Sequence, residues 1–140
     1  MNGNIFNDVR AMHEKFGVTE WVEKNKNNPE LLRKFLNFRI AKMMDEEMNE
    51  LRSAAFVDDD AEGVVDSIID LIVFGATILD ALGVDGEKAW YEVYNANMSK
   101  RPGVKAGRPN KFGLPDMIKD AETWKAPNHD DNLGIIPEIL

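Results

Sequence analysis

The chain has 140 residues, a formal net charge of −8 and no cysteine. Its 44% hydrophobic and 30% charged residues are typical of one soluble globular domain, predicted over residues 1–140. The acidic balance and the lack of a Lys/Arg block argue against nucleic-acid binding, because phosphate contacts supply most of that affinity. Without cysteine, no disulfide framework, thiolate zinc site or thiol nucleophile is available.

The N-terminal residues lack the basic-then-apolar plan of a signal peptide. The longest apolar stretch, Ile68–Leu82, is interrupted by Asp70 and Asp80 and is too short to span a bilayer. We therefore expect no membrane partner and a cytoplasmic location, either of the cell or of an infected host cell.

Hydrophobic periodicity and capping residues predict an all-α chain. Gly17 is placed to end a first helix, and a short helical turn is expected around Trp21. Asn28 and Pro29 mark the start of a long helix, and an aspartate run marks the start of the next. The predicted helices cover about residues 5–16, 29–55, 61–82 and 86–98.

The chain after residue 100 is punctuated by Pro and Gly. We therefore predict a helical core of about 4–100, of four-helix-bundle type, followed by a C-terminal irregular tail of about 101–140 without a strand pair. The third predicted helix, about residues 61–82, is apolar on almost every side. A four-helix monomer would leave part of it as an exposed apolar patch, and such patches usually mark interfaces. A homodimer, or a homotetramer built as a dimer of dimers, is expected.

Carboxylates interrupt the apolar patterns of the two central helices. At about 100° per residue, Glu47 and Glu50 share a face with the apolar stripe of their helix, while Glu46 lies at its edge. That stripe consists of Leu32, Leu36, Ile40, Met43 and Ala54.

On the third helix, Glu62, Asp66 and Asp70 follow one another at i, i+4 and i+8. No Lys or Arg occurs between Ser53 and Gly86 to neutralise them. Because converging buried carboxylates cannot all ionise without a cation, and because hard cations favour oxygen ligands, the pattern predicts a Mg²⁺ or Mn²⁺ site. Solvated helix faces are the competing interpretation, strongest for Glu46 and Glu62.

These residues resemble a known superfamily. Glu46-Glu47-x-x-Glu50 followed by Asp66-x-x-x-Asp70 is similar to the EExxE and ExxD motifs of the all-α NTP pyrophosphohydrolases. That superfamily includes MazG, the dimeric dUTPases, dCTP pyrophosphatase and phosphoribosyl-ATP pyrophosphohydrolase. Asp70-Leu71, Gly75, Gly83-Val84-Asp85 and Asn97-Met98-Ser99-Lys100 resemble most closely the small MazG-like proteins often carried by phages.

The resemblance covers about residues 16–116, with one departure. The common ExxD motif requires an acid at position 67, where this chain has Ser67. Asp66, one residue earlier, can still share a helix face with Asp70, so the metal-binding role is carried to it.

The resemblance implies hydrolysis of a (d)NTP to the monophosphate and pyrophosphate, with two or more metal ions per site. Glu47, Glu50, Asp66 and Asp70 would be the metal ligands. Glu46 or Glu47 would orient or deprotonate the water. The phosphate contacts would come from Asn97, Lys100 and Lys111. Helix capping is the competing reading for the first two, and a solvated basic loop (Arg101, Lys105, Arg108 and Lys111) for the last.

Recognition of the base is less defined by the sequence. Phe16, Trp21 and Phe38 are candidate stacking partners, although each is more often a core residue. Met12 and His13 are ambiguous in the same way. A purine substrate such as dGTP or GTP is one expectation, and a dUTPase- or dCTPase-like pyrimidine specificity is the alternative. From another class, a non-catalytic acidic bundle that binds a partner protein would place the carboxylates on solvated faces. A di-iron bundle is weaker, because the Glu-x-x-His ligand pair is missing.

Overall fold

The computed structural model describes residues 3–105, 107 and 112–140. It is mostly helical with one two-stranded sheet, which confirms the prediction of an all-α bundle. The chain packs as two compact units, one formed by residues 1–86 with 133–140 and the other by residues 87–132. Within the described residues, no helix combines the length and apolar character needed to cross a membrane.

Two short helices open the first unit. The α1 helix spans Ile5–Lys15, and the side chain of its N-cap, Asn4, accepts a hydrogen bond from the Phe6 amide. Gly17, at φ 80°, lies between α1 and α2, which spans Val18–Lys24. A φ of this sign is easily adopted only by glycine, so the predicted stop after the first helix is confirmed.

The long helix predicted from Pro29 is a continuous helical run with a π-helical middle. It consists of α3 (Pro29–Asn37), a π-helical segment (Phe38–Met44) and α4 (Asp45–Phe56). The i→i+5 bonding of a π-helix winds more residues into each turn and changes which side chains face inward. Arg39 is therefore half-buried, whereas Ile40 is 46% exposed. The expectation that Ile40 belongs to the buried stripe is wrong.

The α5 helix spans Ala61–Ala81 and packs antiparallel to the preceding helical run and against α1. Asp60 caps it by accepting a hydrogen bond from the Gly63 amide at 2.9 Å. Gly63 allows close approach of α4, because a Cβ there would lie 3.1 Å from that of Ala54. The predicted third helix is thus confirmed, and it packs closely against α4, the helix that carries the EExxE residues.

The C-terminal residues of the first unit complete its core. The short α7 helix, Ile136–Ile139, packs against α3. Ile139 is 3% exposed and lies in one cluster with Leu32 and Leu82. The amide of Ile135 also donates to the carbonyl of Leu82 at 2.9 Å. The end of the predicted tail is therefore part of a hydrophobic core.

In the second unit, α6 spans Gly86–Met98, as predicted, with its first residue belonging to the first unit. Two short strands follow, β1 (Arg101–Gly103) and β2 (Asp116–Ile118), paired antiparallel with Pro102 opposite Met117. The expectation of no strand pair is wrong, because each strand is too short to show alternating polarity. The indole of Trp124 donates to the Ala96 carbonyl at 2.7 Å and fastens this segment to α6.

Candidate active site

The α4 and α5 helices bring a buried carboxyl group and a buried hydroxyl group together. Glu47 is 8% exposed and Ser67 is 5% exposed, and the Ser67 hydroxyl donates a hydrogen bond to the Glu47 carboxylate. The α4 stripe positions Glu47, because its neighbours one and two turns along, Leu51 and Ala54, also face inward. A carboxylate held in this way lies at a position where helical patterning would normally place an apolar residue.

Glu47 is electrostatically coupled to three other carboxylates. Burial raises the pKa of Glu47, a hydrogen bond from Ser67 opposes that rise, and Glu50 and Asp66 add to it. Burial likewise raises the pKa of Asp70, with further contributions from the charges of Asp66 and Glu47. The four carboxylates therefore form one electrostatically coupled group, which we call the carboxylate cluster (Glu47, Glu50, Asp66 and Asp70).

The members of the cluster differ in exposure. Asp70 is half-buried, whereas Glu50 and Asp66 are exposed. Asp66 and Glu62 line an open groove on α5 together with apolar residues such as Ile69. The cluster thus has one buried carboxyl group, Glu47, and exposed carboxylates that a ligand can reach. Glu46, the other candidate base, is exposed, as the solvated-face interpretation would also require.

Charge balance in the cluster favours a cation. Among the ion pairs of the described residues, none involves a member of the carboxylate cluster. Oxygen-only donors with uncompensated charge are the ligand set that Mg²⁺ and Mn²⁺ favour. Within the part of the chain that the structure describes, however, no three His, Asp or Glu side chains converge closely enough to hold an ion as they stand. The donor set fits a divalent ion if its exposed members turn inward.

A separate cavity of about 320 Å³ holds two of the candidate base-stacking residues. Phe16 and Trp21 line it together with Gly17, Val18 and Phe35. The rings of Trp21 and Phe35 are 5.3 Å apart between centroids and tilted by 39°. The volume is at the lower end of the range for ligand pockets, about 300–1,000 Å³. The third candidate, Phe38, does not line this cavity and is 55% exposed.

Arg39 is a residue of this region that sequence reasoning missed. Its Nη1 donates to Thr77 Oγ1 at 3.3 Å, and its guanidinium lies 4.9 Å from the centroid of the Phe35 ring. Burial lowers the pKa of Arg39, which remains a cation because an arginine is protonated at any physiological pH. A regular helical period places Ile40, not Arg39, on the inner face, so only the π-helical segment could have revealed this position.

The phosphate-binding candidates belong to the second unit or lie outside the described residues. Lys100 Nζ donates to Asn97 Oδ1 at 2.8 Å and lies 5.6 Å from the ring centroid of Trp124. Lys119 Nζ approaches the same ring at 4.6 Å. The structure thus brings Asn97 and Lys100 together at the end of α6. Lys111, the third candidate, falls outside the described residues.

The sequence profile of the family described as phosphoribosyl-ATP pyrophosphohydrolase matches residues 9–97, which include both acidic helices and the aromatic cavity. The chain belongs to the phosphoribosyl-ATP pyrophosphohydrolase family. It is therefore a hydrolase that acts on a pyrophosphate bond, and the expected relationship to the MazG-like all-α superfamily is confirmed at this level. No curated protein and no solved structure matches the chain.

Within this pyrophosphohydrolase fold, the departure at position 67 acquires a structural meaning. Ser67 occupies the position at which the ExxD motif has an acid, and its side chain is buried beside Glu47. Asp66, on the adjacent face, is exposed but close enough to raise the pKa of both Glu47 and Asp70. The hydrophobic pattern alone identifies Glu47, whereas the contribution of Ser67 required the tertiary packing.

A second buried polar pair ties α1 of the pyrophosphohydrolase to α5. His13 is 4% exposed, and its Nδ1 lies 2.7 Å from Asp80 Oδ2. The other oxygen of Asp80 accepts a hydrogen bond from Arg10 Nε at 3.2 Å. His13 Nε2 is buried without a hydrogen-bond partner. The sequence left His13 open between surface and core, and the structure places it in the core.

Proposed function

We propose that this chain is a metal-dependent nucleoside triphosphate pyrophosphohydrolase that converts a (d)NTP and water to the (d)NMP and pyrophosphate. The family establishes hydrolysis of a pyrophosphate bond, and the proposal extends this activity to nucleoside triphosphates in general. The observation that carries it is the buried Glu47 carboxyl group with Glu50, Asp66 and Asp70 around it. A buried carboxylate beside other carboxylates is costly without a cation, and a metal-bound triphosphate would remove that cost.

The cluster residues divide between two roles. Glu50, Asp66 and Asp70, with one oxygen of Glu47, would hold Mg²⁺ or Mn²⁺. A bound divalent ion would offset the charge of the phosphates and lower the pKa of a coordinated water. Two or more ions per site are expected, because four carboxylates provide more ligands than one ion needs.

The reaction itself is a displacement at phosphorus. The oxygen of water attacks one phosphorus of the α–β anhydride, and the bond between that phosphorus and the bridging oxygen breaks. The group that keeps the bridging oxygen leaves with the electrons of that bond: pyrophosphate for attack at the α-phosphorus, the monophosphate for attack at the β-phosphorus. Glu47 is the buried member of the cluster, and the oxygen that does not hold the metal would be placed to accept the proton of the water. Glu46 is the alternative base, favoured less because it is exposed.

The remainder of the substrate would be bound by neutral, cationic and aromatic groups. Lys100 is a point charge suited to the phosphates, and Asn97 adds a polar contact without repulsion. Lys111 is a further phosphate ligand in this proposal. Phe16 and Trp21 would stack on the base, since they line the same cavity.

The exposed apolar face of α5 supports a homodimer or a dimer of dimers. Val65, Ile69 and Ile72 are 65%, 52% and 50% exposed, although apolar residues of this size are normally buried. This face adjoins the groove that contains Glu62 and Asp66, so a second copy packed there would enclose the carboxylate cluster and exclude water from it. Light scattering combined with size-exclusion chromatography tests this assembly, and a monomer at all concentrations would contradict it.

A nucleotide panel tests the proposed activity. The common NTPs and dNTPs, together with phosphoribosyl-ATP, are incubated with Mg²⁺ or Mn²⁺, and monophosphate and pyrophosphate are separated by chromatography. We expect one or a few triphosphates to be hydrolysed, and Glu47→Gln to lower the rate at least about 100-fold. Glu30→Gln, an exposed acid of α3, is the matched control and should retain wild-type activity. Turnover of phosphoribosyl-ATP alone, or equal activity of the two variants, would overturn the proposal.

A further inference from the structure

The second unit places two lysine side chains close to one tryptophan ring. Lys100 Nζ lies 5.6 Å and Lys119 Nζ lies 4.6 Å from the centroid of the Trp124 ring. The strand register accounts for this convergence: Arg101 pairs with Ile118, so the same register continued by one residue sets Lys100 opposite Lys119. Directly opposite residues of an antiparallel pair have their side chains on the same face. Two like charges are therefore held near each other.

The two lysines are not neutralised by acids. Among the described residues, neither Lys100 nor Lys119 forms an ion pair. Asp120, the acid next to Lys119 in the sequence, is already paired, because both of its carboxylate oxygens accept from Arg101 Nε, at 3.1 and 3.3 Å. Like charges directly opposite each other destabilise a strand pair. A bound anion would neutralise both ammonium groups at once.

The surroundings of the lysines are fixed and supply a further donor. The Trp124 ring is oriented by its indole N–H, which donates to the Ala96 carbonyl at 2.7 Å. Lys100 Nζ donates to Asn97 Oδ1 at 2.8 Å, which leaves the NH2 group of Asn97 to donate to a ligand. Two ammonium groups and an amide match a ligand with several acceptor oxygens and at least two negative charges. Phosphate chains have both properties, and lysine binds them as a point charge.

Stabilisation of the end of α6 is the competing role for these cations. A lysine near the last carbonyl groups of a helix offsets the negative end of the helix dipole. This role is sufficient for Lys100, which follows the last residue of α6 by two positions. It does not explain Lys119, which directly follows β2 and is exposed to solvent. Lys119 is therefore the residue that distinguishes an anion site from a helix cap.

We propose that Lys119 is a further phosphate-binding residue, and that Lys119, Lys100 and Asn97 around the Trp124 ring bind the phosphate chain of a nucleoside triphosphate or the released pyrophosphate. This inference rests on the proposed function for the origin of its ligand. Lys119 and Trp124 lie outside residues 9–97, which match the family profile, so the family match assigns them no role. They also lie outside the motif that ends at Lys100.

Anion binding is measured without divalent metal, because the carboxylate cluster then repels phosphates. Inorganic pyrophosphate and tripolyphosphate are titrated into the full chain by calorimetry, in buffer freed of metal by a chelating resin, and tryptophan fluorescence is recorded in parallel. The variants are Lys119→Gln, Lys119→Arg and Trp124→Phe. Lys125→Gln removes an exposed lysine of the same unit and is the matched control. Circular dichroism verifies that each variant is folded.

We expect wild type and Lys125→Gln to bind both anions with the same Kd. Lys119→Gln should raise this Kd about 10-fold, because one of the two ammonium groups is lost. Lys119→Arg should restore most of the affinity, since arginine carries the same charge. The fluorescence change that accompanies binding should disappear in Trp124→Phe, although calorimetry should still detect binding.

Three results would overturn the inference. The first is the absence of anion binding to wild type. The second is a Kd that Lys119→Gln leaves unchanged, or that Lys125→Gln raises equally, because binding would then be independent of Lys119 or would follow net charge alone. The third is a fluorescence change that persists in Trp124→Phe, because the anion would then lie near another tryptophan.

Hydrolysis kinetics distinguish the two sources of the phosphate chain. For a triphosphate that the nucleotide panel shows to be hydrolysed, a higher KM of Lys119→Gln with little change in kcat identifies the substrate as the ligand. Weaker inhibition by pyrophosphate with an unchanged KM identifies the product as the ligand.

The two assays separate this inference from the proposed function. If no triphosphate is hydrolysed but the anions bind and the Kd depends on Lys119, the proposed reaction fails while the inference stands. If triphosphates are hydrolysed and Lys119→Gln changes neither the Kd of the anions nor the KM, the reaction stands and the inference is overturned.

Discussion

Replacing Glu47 by glutamine is expected to stabilise the metal-free protein and to abolish most of its stabilisation by Mg²⁺ or Mn²⁺. Glutamine preserves the shape of the side chain, and its amide oxygen can still accept the hydrogen bond from Ser67. The substitution removes one charge from a buried position that faces Glu50 and Asp66. It also removes one negatively charged ligand from the proposed metal site.

The size of both effects follows from the exposure of the neighbouring charges. Two like unit charges 4 Å apart repel by about 1 kcal/mol in water and about 4 kcal/mol at an effective dielectric constant near 20. Glu50 and Asp66 are exposed, so the lower value applies. A gain of about 1 kcal/mol in the free energy of unfolding corresponds to a rise of roughly 3 °C in Tm for a chain of this length. Metal at 100 times its Kd would stabilise wild type by about 2.7 kcal/mol, or roughly 8 °C.

Thermal unfolding followed by circular dichroism, in EDTA and with added Mn²⁺, measures both effects at neutral pH. Glu30→Gln serves again as the control, since it removes an exposed carboxylate of α3 and should leave the metal-induced shift intact. The reasoning is refuted if Glu47→Gln unfolds below the wild-type Tm in EDTA. It is refuted equally if the variant retains the full wild-type shift with metal.

Three further predictions concern the same site and the core beside it. In EDTA, the free energy of unfolding of wild type should rise as the pH falls from neutral through the raised pKa values of Glu47 and Asp70, because the folded protein binds these protons before the unfolded chain does. Urea unfolding at several pH values should show a weaker pH dependence of this free energy for Asp70→Asn than for wild type. The same pH dependence in both proteins would contradict the prediction. Ser67→Ala should lower the free energy of unfolding by about 1–3 kcal/mol at neutral pH, because Glu47 loses its hydroxyl donor. The loss should be smaller in acid. An equal loss at both pH values would mean that the substitution affects only packing. Ile139→Ala should cost about 2–5 kcal/mol in denaturant unfolding, against less than about 0.5 kcal/mol for the exposed Leu140→Ala, and similar values for the two would place the C-terminal helix outside the core.

Local patterns predicted the helices because helix formation depends on nearby residues. The structure confirms the helix boundaries marked by Asn28 and Pro29, by Asp60 and by Gly17. Capping and a positive φ depend on only a few neighbouring residues, so the sequence shows them directly. Glu47 was also identifiable in this way, as a carboxylate on a helical stripe that is otherwise apolar. The interruption of a pattern by a costly residue is a local signal with a functional reason.

Other features depended on contacts between distant parts of the chain. Ile139 lies in a core with Leu32 and Leu82, each more than fifty residues away in the sequence. The Pro- and Gly-rich sequence before Ile139 contains no pattern that predicts this packing. The β1–β2 pair likewise joins strands of three residues each, too short to carry a period of two. Long-range pairing is decided by burial of whole surfaces, which a short window of sequence does not contain.

By itself, the sequence determined that this chain is helical, acidic and equipped with carboxylates in two otherwise apolar helices. Those properties follow from residue type and from a period of 3.6 residues. Only the tertiary structure decided that Ser67 donates to Glu47 and that Arg39 replaces Ile40 on the inner face. The physical reason is that a π-helical segment changes the phase of its helix, and a hydrogen bond between helices requires their relative rotation to be fixed by packing.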